Sequence, residues 1–246
     1  MIATPILLLC LWQAASVSGL VDRRFWPAPT DIGVAFVENI ESGVLISEAA
    51  ISLRRILTGF ACGTALGVVI GLLLGTVRTL RVAFYPIIGA LYTVPKIAII
   101  PLLLLLFGLG EAPKLVLISA GVFFIVVISC VAAVTGVSSS YLEPVRTFNA
   151  SFMQRLCHVV IPAALPELFI AFRLAMGQAV LLTIGIEIIQ SSDGLGFMIW
   201  NAWELYLTSL MYVGIVFVSL LGVVLQGSVT FVGNRIMPWR RTISNH

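Results

Sequence analysis

The chain has 246 residues, 60% of them hydrophobic and only 10% charged, and its mean hydropathy is +1.11. That composition excludes an ordinary soluble domain and makes the chain an integral membrane protein, while long uninterrupted apolar runs exclude a β-barrel, whose strands would alternate lipid-facing and lumen-facing residues. A net charge of +3, dispersed and without a basic stripe or stacking aromatics, excludes nucleic-acid binding.

Crossing a hydrocarbon core of about 30 Å takes roughly 20 helical residues. Runs of that kind fall near 2–20, 56–77, 84–107, 114–135, 164–190 and 209–233, which predicts an all-α membrane protein with about six transmembrane helices. The first run has no basic residue ahead of it and more spans behind it, so residues 1–25 read as a transmembrane helix with its boundary rather than as a cleaved leader. Residues 26–53 form an outer-side loop in which the Thr30-Asp31 start and the spacing of Phe36, Val37 and Ile40 predict a short amphipathic helix. Residues 54–236 make a five-helix core, and 237–246 a cytoplasmic tail. With the N-terminus inside, Arg78, Arg81, Arg146, Arg155, Arg235, Arg240 and Arg241 are cytoplasmic against Arg23, Arg24 and Lys114 outside, with Arg54 and Arg55 at an outer boundary, a modest positive-inside bias.

In the second span Gly59, Gly63, Gly67, Gly71 and Gly75 recur every four residues and form a smooth stripe for close helix approach, either within one subunit or against a second copy. The third span is interrupted by Pro95 and Pro101 with Lys96 between them. Counted as helix from Phe84, Lys96 lies about 18 Å along the span, where a lysine is stable only beside water, an acid or an anionic solute. Tyr92, Thr93, Pro95 and Lys96 are therefore candidates to line a pathway, against the alternative of a kinked structural helix whose lysine is neutralised or reaches an interface. Glu187, about 20 residues into the fifth span and so nearer the outer face, is the other candidate path residue, a poor direct partner for Lys96 and a candidate support of an outer gate.

Hydropathy drops between residues 138 and 166. Ser140 with Glu143 and Ser151 with Gln154 have capping-box spacing, so two short helices are expected, with Asn149 at the turn between them and Pro144 near the first turn of the first. The four cysteines Cys10, Cys62, Cys130 and Cys157 have no metal-like spacing and read as core residues. No metal site and no catalytic residue is expected: His158 and His246 stand far apart, and there is no GxxxxGK[ST] phosphate loop.

The stretch from Glu143 to Pro162 resembles the EAA loop of the membrane subunits of ABC importers, which runs Glu-Ala-Ala, three residues, Gly, nine residues, Ile-x-Leu-Pro. Glu143-Pro144-Val145, Asn149 and Val159-Val160-Ile161-Pro162 hold those spacings, although both alanines and the glycine are replaced. The stretches "PIIGALYTVPKIAIIPLLLLLFGLGEAPK", "FRLAMGQAV" and "EIIQSSDGLGFMIWNA" extend the resemblance to the nitrate, sulfonate and taurine branch over residues 26 to 236. It implies a type I importer permease bundle with a cytoplasmic coupling helix, in which Glu143, Pro144, Val145, Arg146, Asn149, Ala150, Ser151 and Pro162 meet an ABC ATPase subunit. It further implies that the chain is not itself an enzyme and carries no cofactor, ATP and Mg being bound on the partner ATPase. The remaining partners would be a second permease copy, as a homodimer or a heterodimer, an external solute-binding protein and the lipid bilayer. Alternating access would then move a small anion, or a neutral pyrimidine or vitamin precursor, across the inner membrane. A polytopic membrane enzyme would need intramembrane acid or histidine clusters, and an ion-coupled carrier would need inverted repeats; the sequence displays neither.

Overall fold

The computed structural model describes residues 3–138, 140–141, 143 and 150–239, and its regular elements are all helical. In chain order they are α1 (Ala3–Val17), α2 (Pro29–Glu41), α3 (Val44–Thr76), α4 (Arg78–Thr93), a 3₁₀ turn (Lys96–Ile99) leading into α5 (Ile100–Phe107), α6 (Glu111–Thr135), α7 (Phe152–Gln190), α8 (Leu195–Glu204) and α9 (Thr208–Ile236). Four of these, α3, α6, α7 and α9, are long and apolar enough to cross a bilayer, and α4 with residues 96–107 makes a fifth if the bent pair is one span. The first apolar run forms a helix of only 15 residues, about 22 Å at 1.5 Å per residue.

The third run is not a kinked helix but two pieces at 90°. A residue before proline is pushed out of the α region, and Val94 (φ −65°, ψ 125°) and Pro95 (φ −60°, ψ 116°) are both extended, so α4 stops at Thr93. Pro101, expected to interrupt the span, instead stands in the first turn of α5, where its missing N–H leaves nothing unsatisfied. The expected depth of Lys96 fails with the straight helix, because helical rise can be counted only as far as Thr93.

The chain divides into two compact units. One comprises Met1–Arg54 and Thr183–Leu221. Its core is Ile32, Leu45, Leu195, Met198 and Val213, flanked by Trp12, Phe36 and Phe217. The predicted amphipathic segment is α2, started by Pro29 and tied down by polar contacts: Gln13 accepts the Thr30 N–H at 3.2 Å, and Arg23 grips Asp31 through two bonds of 2.9 and 2.8 Å.

The other unit comprises Arg55–Leu182 and Gly222–His246. Here the glycine stripe meets α6 in a parallel register: a Cβ on Gly63 would fall 2.7 Å from Val122 Cβ, on Gly67 2.7 Å from Val126 Cβ, on Gly71 2.5 Å from Cys130 Cβ and on Gly75 2.8 Å from Val134 Cβ. The stripe therefore serves packing inside one subunit, and Cys130 is one of its buried knobs. At the start of α6, Arg55 donates from Nε (2.9 Å) and Nη2 (2.5 Å) to the Glu111 carboxylate, which also accepts from Lys114 at 3.1 Å. Arg55 and Lys114 are both buried, and the triad pairs both charges with Glu111.

Candidate functional site

The EAA-like segment is described only in part. Pro144, Val145, Arg146 and Asn149 lie outside the described residues. Glu143 is helical and exposed, and Ala150 is half-buried in an extended stretch. The first predicted box is displaced: Ser140 is already helical, and it is Ser138 whose Oγ accepts the Ser140 N–H at 3.3 Å while its carbonyl accepts that of Tyr141 at 3.1 Å. The second box forms as spaced, with Gln154 N–H donating to Ser151 Oγ at 3.3 Å and Ser151 N–H donating to Gln154 Oε1 at 2.8 Å.

The helix that Ser151 opens does not stop at Pro162. It runs through Pro162 and Pro166 to Gln190 as α7, 39 residues long. Continuity is preserved by a π turn over Leu156–Val160. Pro162 has no N–H for the His158 carbonyl and its ring crowds that group, and the wider turn just before it relieves both problems. Sequence reasoning expected a separate second hairpin helix; the structure merges it with the fifth span. Phe152 and Met153 in its first turn remain exposed.

At the α4–α5 break, Tyr92, Thr93 and Pro95 are exposed and Lys96 is half-buried. Lys96 Nζ donates to the carbonyls of Leu91, Tyr92 and Val94 at 3.3, 2.9 and 2.7 Å, taking up acceptors that the ended helix leaves over. It also lies 4.8 Å from the Phe124 ring centroid and 5.5 Å from that of Tyr92. The lysine is thus the C-terminal cap of α4 and packs against aromatic faces.

Glu187, the other predicted path residue, is fully buried. Ser52 Oγ lies 2.9 and 2.8 Å from its two oxygens, and the Gly196 N–H donates to it at 2.9 Å. Ser52 in turn accepts the Leu195 N–H at 2.8 Å, and Glu48 accepts the Gly194 N–H. The first three N–H groups at the start of α8 are therefore all met by side chains of α3 and α7, and the carboxylates oppose the positive end of that helix. Gly194 sits at φ +97°, and a Cβ there would lie 2.5 Å from the Glu187 carboxylate, so this turn admits only glycine. Sequence reasoning missed Glu48 and Ser52. Their four-residue spacing on one helical face was the available signal, but nothing local named a partner more than 130 residues away.

Among the described residues no group of three His, Cys, Asp or Glu side chains could hold a metal ion. Among the described residues the arrangement offers helix breaks, caps and buried pins.

Residues 63–238 match the family described as binding-protein-dependent transport system inner membrane component. Bacillus subtilis SsuC, named for aliphatic sulfonates transport as a permease, is 32% identical over 97% of this chain and 86% of its own length. The taurine transport system permease protein TauC of Escherichia coli is 29% identical over 97% and 88%, and the nitrate import permease protein NrtB of Leptolyngbya laminosa 27% identical over 79% and 70%. A solved chain of the MetNI methionine ABC transporter in an inward-facing conformation superposes with a TM-score of 0.70 at 20% identity, covering 80% of this chain and 96% of that one, a likeness of fold.

Proposed function

The chain belongs to the family of binding-protein-dependent transport system inner membrane components and is a multi-pass permease of an ABC importer; from that premise we propose its cargo, its partners and the division of labour among its residues. The cargo is a small organic or inorganic oxyanion of the sulfonate or nitrate kind. Support comes from the names of three relatives and from a cation, Lys96, held at an exposed helix break among apolar residues. An external solute-binding protein delivers the anion, two ATPase subunits bind ATP and Mg²⁺, and a second copy of the permease completes the path.

In this reading Glu143, Pro144, Val145, Arg146, Asn149, Ala150 and Ser151 dock on the ATPase. The observation that carries the assignment is the capped start of α7 at Ser151: a helix fixed at its first turn and continuous through Pro162 follows any displacement of the segment before it. Tyr92, Thr93, Pro95 and Lys96 border the path, and Glu187 holds the start of α8 rather than contacting cargo.

Coexpression with an ATPase subunit and a solute-binding protein, followed by affinity purification through the permease and uptake into vesicles, tests the set. An ATPase that copurifies and drives uptake of labelled taurine, nitrate or an alkanesulfonate is the expected result. No ATPase in the purified complex overturns the partner assignment, and ATP-driven uptake of a neutral pyrimidine with none of these anions overturns the cargo.

A further inference from the structure

Where α7 packs antiparallel on α9, a Cβ on Gly177 would lie 3.3 Å from Gln226 Nε2, and one on Gly233 2.7 Å from Phe169 Cδ1. Arg173 falls midway between these contacts, opposite Thr230. Gln226, Thr230 and Asn234 stand at intervals of four on one face of α9 and, with Arg173, line a cleft of about 490 Å³. Arg173, Thr230 and Asn234 also line an adjoining cleft of about 310 Å³. Gln226 lies ten residues, about 15 Å, inside the end of α9, and the polar row runs from there to Asn234 in the last turn, with Arg173 opposite its middle.

The chemistry of these clefts is one-sided. Arg173 is exposed in the chain, and no carboxylate lies within ion-pair distance of it among the described residues. Among the described residues neither cleft is lined by an acidic side chain. The Thr230 hydroxyl is used on the Gln226 carbonyl at 3.0 Å, leaving the guanidinium and the amides of Gln226 and Asn234 as donors. An unpaired arginine within a span is costly against hydrocarbon, and such residues face protein interior or a water-filled cavity. A guanidinium fork flanked by amides fits the planar or trigonal oxygens of a singly charged oxyanion.

We propose that Arg173, Gln226 and Asn234 form an anion-binding station on the inner part of the translocation path, taking a sulfonate or nitrate from the water-filled cavity. The proposal rests on the importer reading above and deepens its cargo assignment. Lipid phosphate offers similar chemistry, and the test separates the two sources.

The test places a reporter thiol by Thr230→Cys in a variant with Cys10, Cys62, Cys130 and Cys157 replaced by alanine, assembled with its ATPase in vesicles of neutral lipid. It is modified with the anionic sulfonatoethyl and the cationic trimethylammonioethyl methanethiosulfonates. With each rate normalised to that of free thiol, the anionic reagent should react about tenfold faster, as expected for a single fixed cation a few ångströms from the thiol in water. Arg173→Gln should bring the two rates within about threefold, and Arg173→Lys should keep most of the preference. Absence of reaction with both reagents means the face is covered by lipid or protein and overturns the station. A preference that survives Arg173→Gln overturns the role of the arginine, and one that is abolished by anionic lipid but unchanged by excess nitrate or alkanesulfonate assigns the site to lipid headgroups and overturns the station. Because the readout is thiol chemistry, loss of ATPase copurification would count against the importer reading alone.

Discussion

Glu187 is a carboxylate at a fully buried position, and its partners explain how that is tolerated. It accepts from the Ser52 hydroxyl of α3 and the Gly196 N–H at the start of α8, so its lone pairs are directed at buried donors that would otherwise be orphaned. Glu187→Ala should therefore destabilise by about 1–3 kcal/mol for each donor left without an acceptor, beyond the packing lost. The ordering of variants is the sharper expectation: Glu187→Gln keeps size and one acceptor oxygen and should melt between wild type and Glu187→Ala. Thermal unfolding of the detergent-solubilised permease gives the ranking. If Glu187→Ala melts with wild type, the carboxylate is no structural pin.

At the scale of elements, the sequence revealed most where one physical rule acted locally. The glycine period of four in α3 predicted a close helix approach because only backbone geometry and the absent Cβ were needed, and α6 supplies the partner in matching register. The Ser151–Gln154 box was legible for the same reason. What was not legible depended on competition between neighbours. Pro95 ends a helix while Pro101 begins one, and spacing alone does not tell a stop from a start. The second short helix read as separate from the fifth span because the π turn that carries the helix through Pro162 has no letter signature, and the Glu48–Ser52–Gly194 contacts join segments remote in sequence. Lys96 belongs to both classes: its place beside a proline was visible, its role as cap of α4 was not. Lys96→Met removes the charge at similar length while the aromatic contacts persist. Uptake of an anionic substrate by the ATPase complex should fall at least about tenfold, with yield and ATPase association close to wild type. Undiminished uptake would leave Lys96 as a helix cap only and remove the anion path from this break.

At the scale of the molecule, the isolated chain presents large apolar side chains over much of its described surface, Leu105, Leu109, Val82, Leu181 and Val223 among those at least two-thirds exposed. In a membrane protein lipid accounts for that exposure, but lipid does not account for Arg173 or for the exposed helix break capped by Lys96, which call for water or a second protein surface. A second copy of the permease would enclose such surfaces in a wet path, and symmetric pairing of identical chains is the commonest way to do so. The departures from the EAA pattern at Pro144, Val145 and Asn149 argue the other way, toward pairing with a different permease that carries the full motif. Two copies bearing different affinity tags, coexpressed with the ATPase and purified through one tag, decide between the arrangements. We expect the second tag in the ATP-hydrolysing complex in about a one-to-one ratio. An active complex that retains only the captured tag excludes the homodimer and requires a distinct second permease.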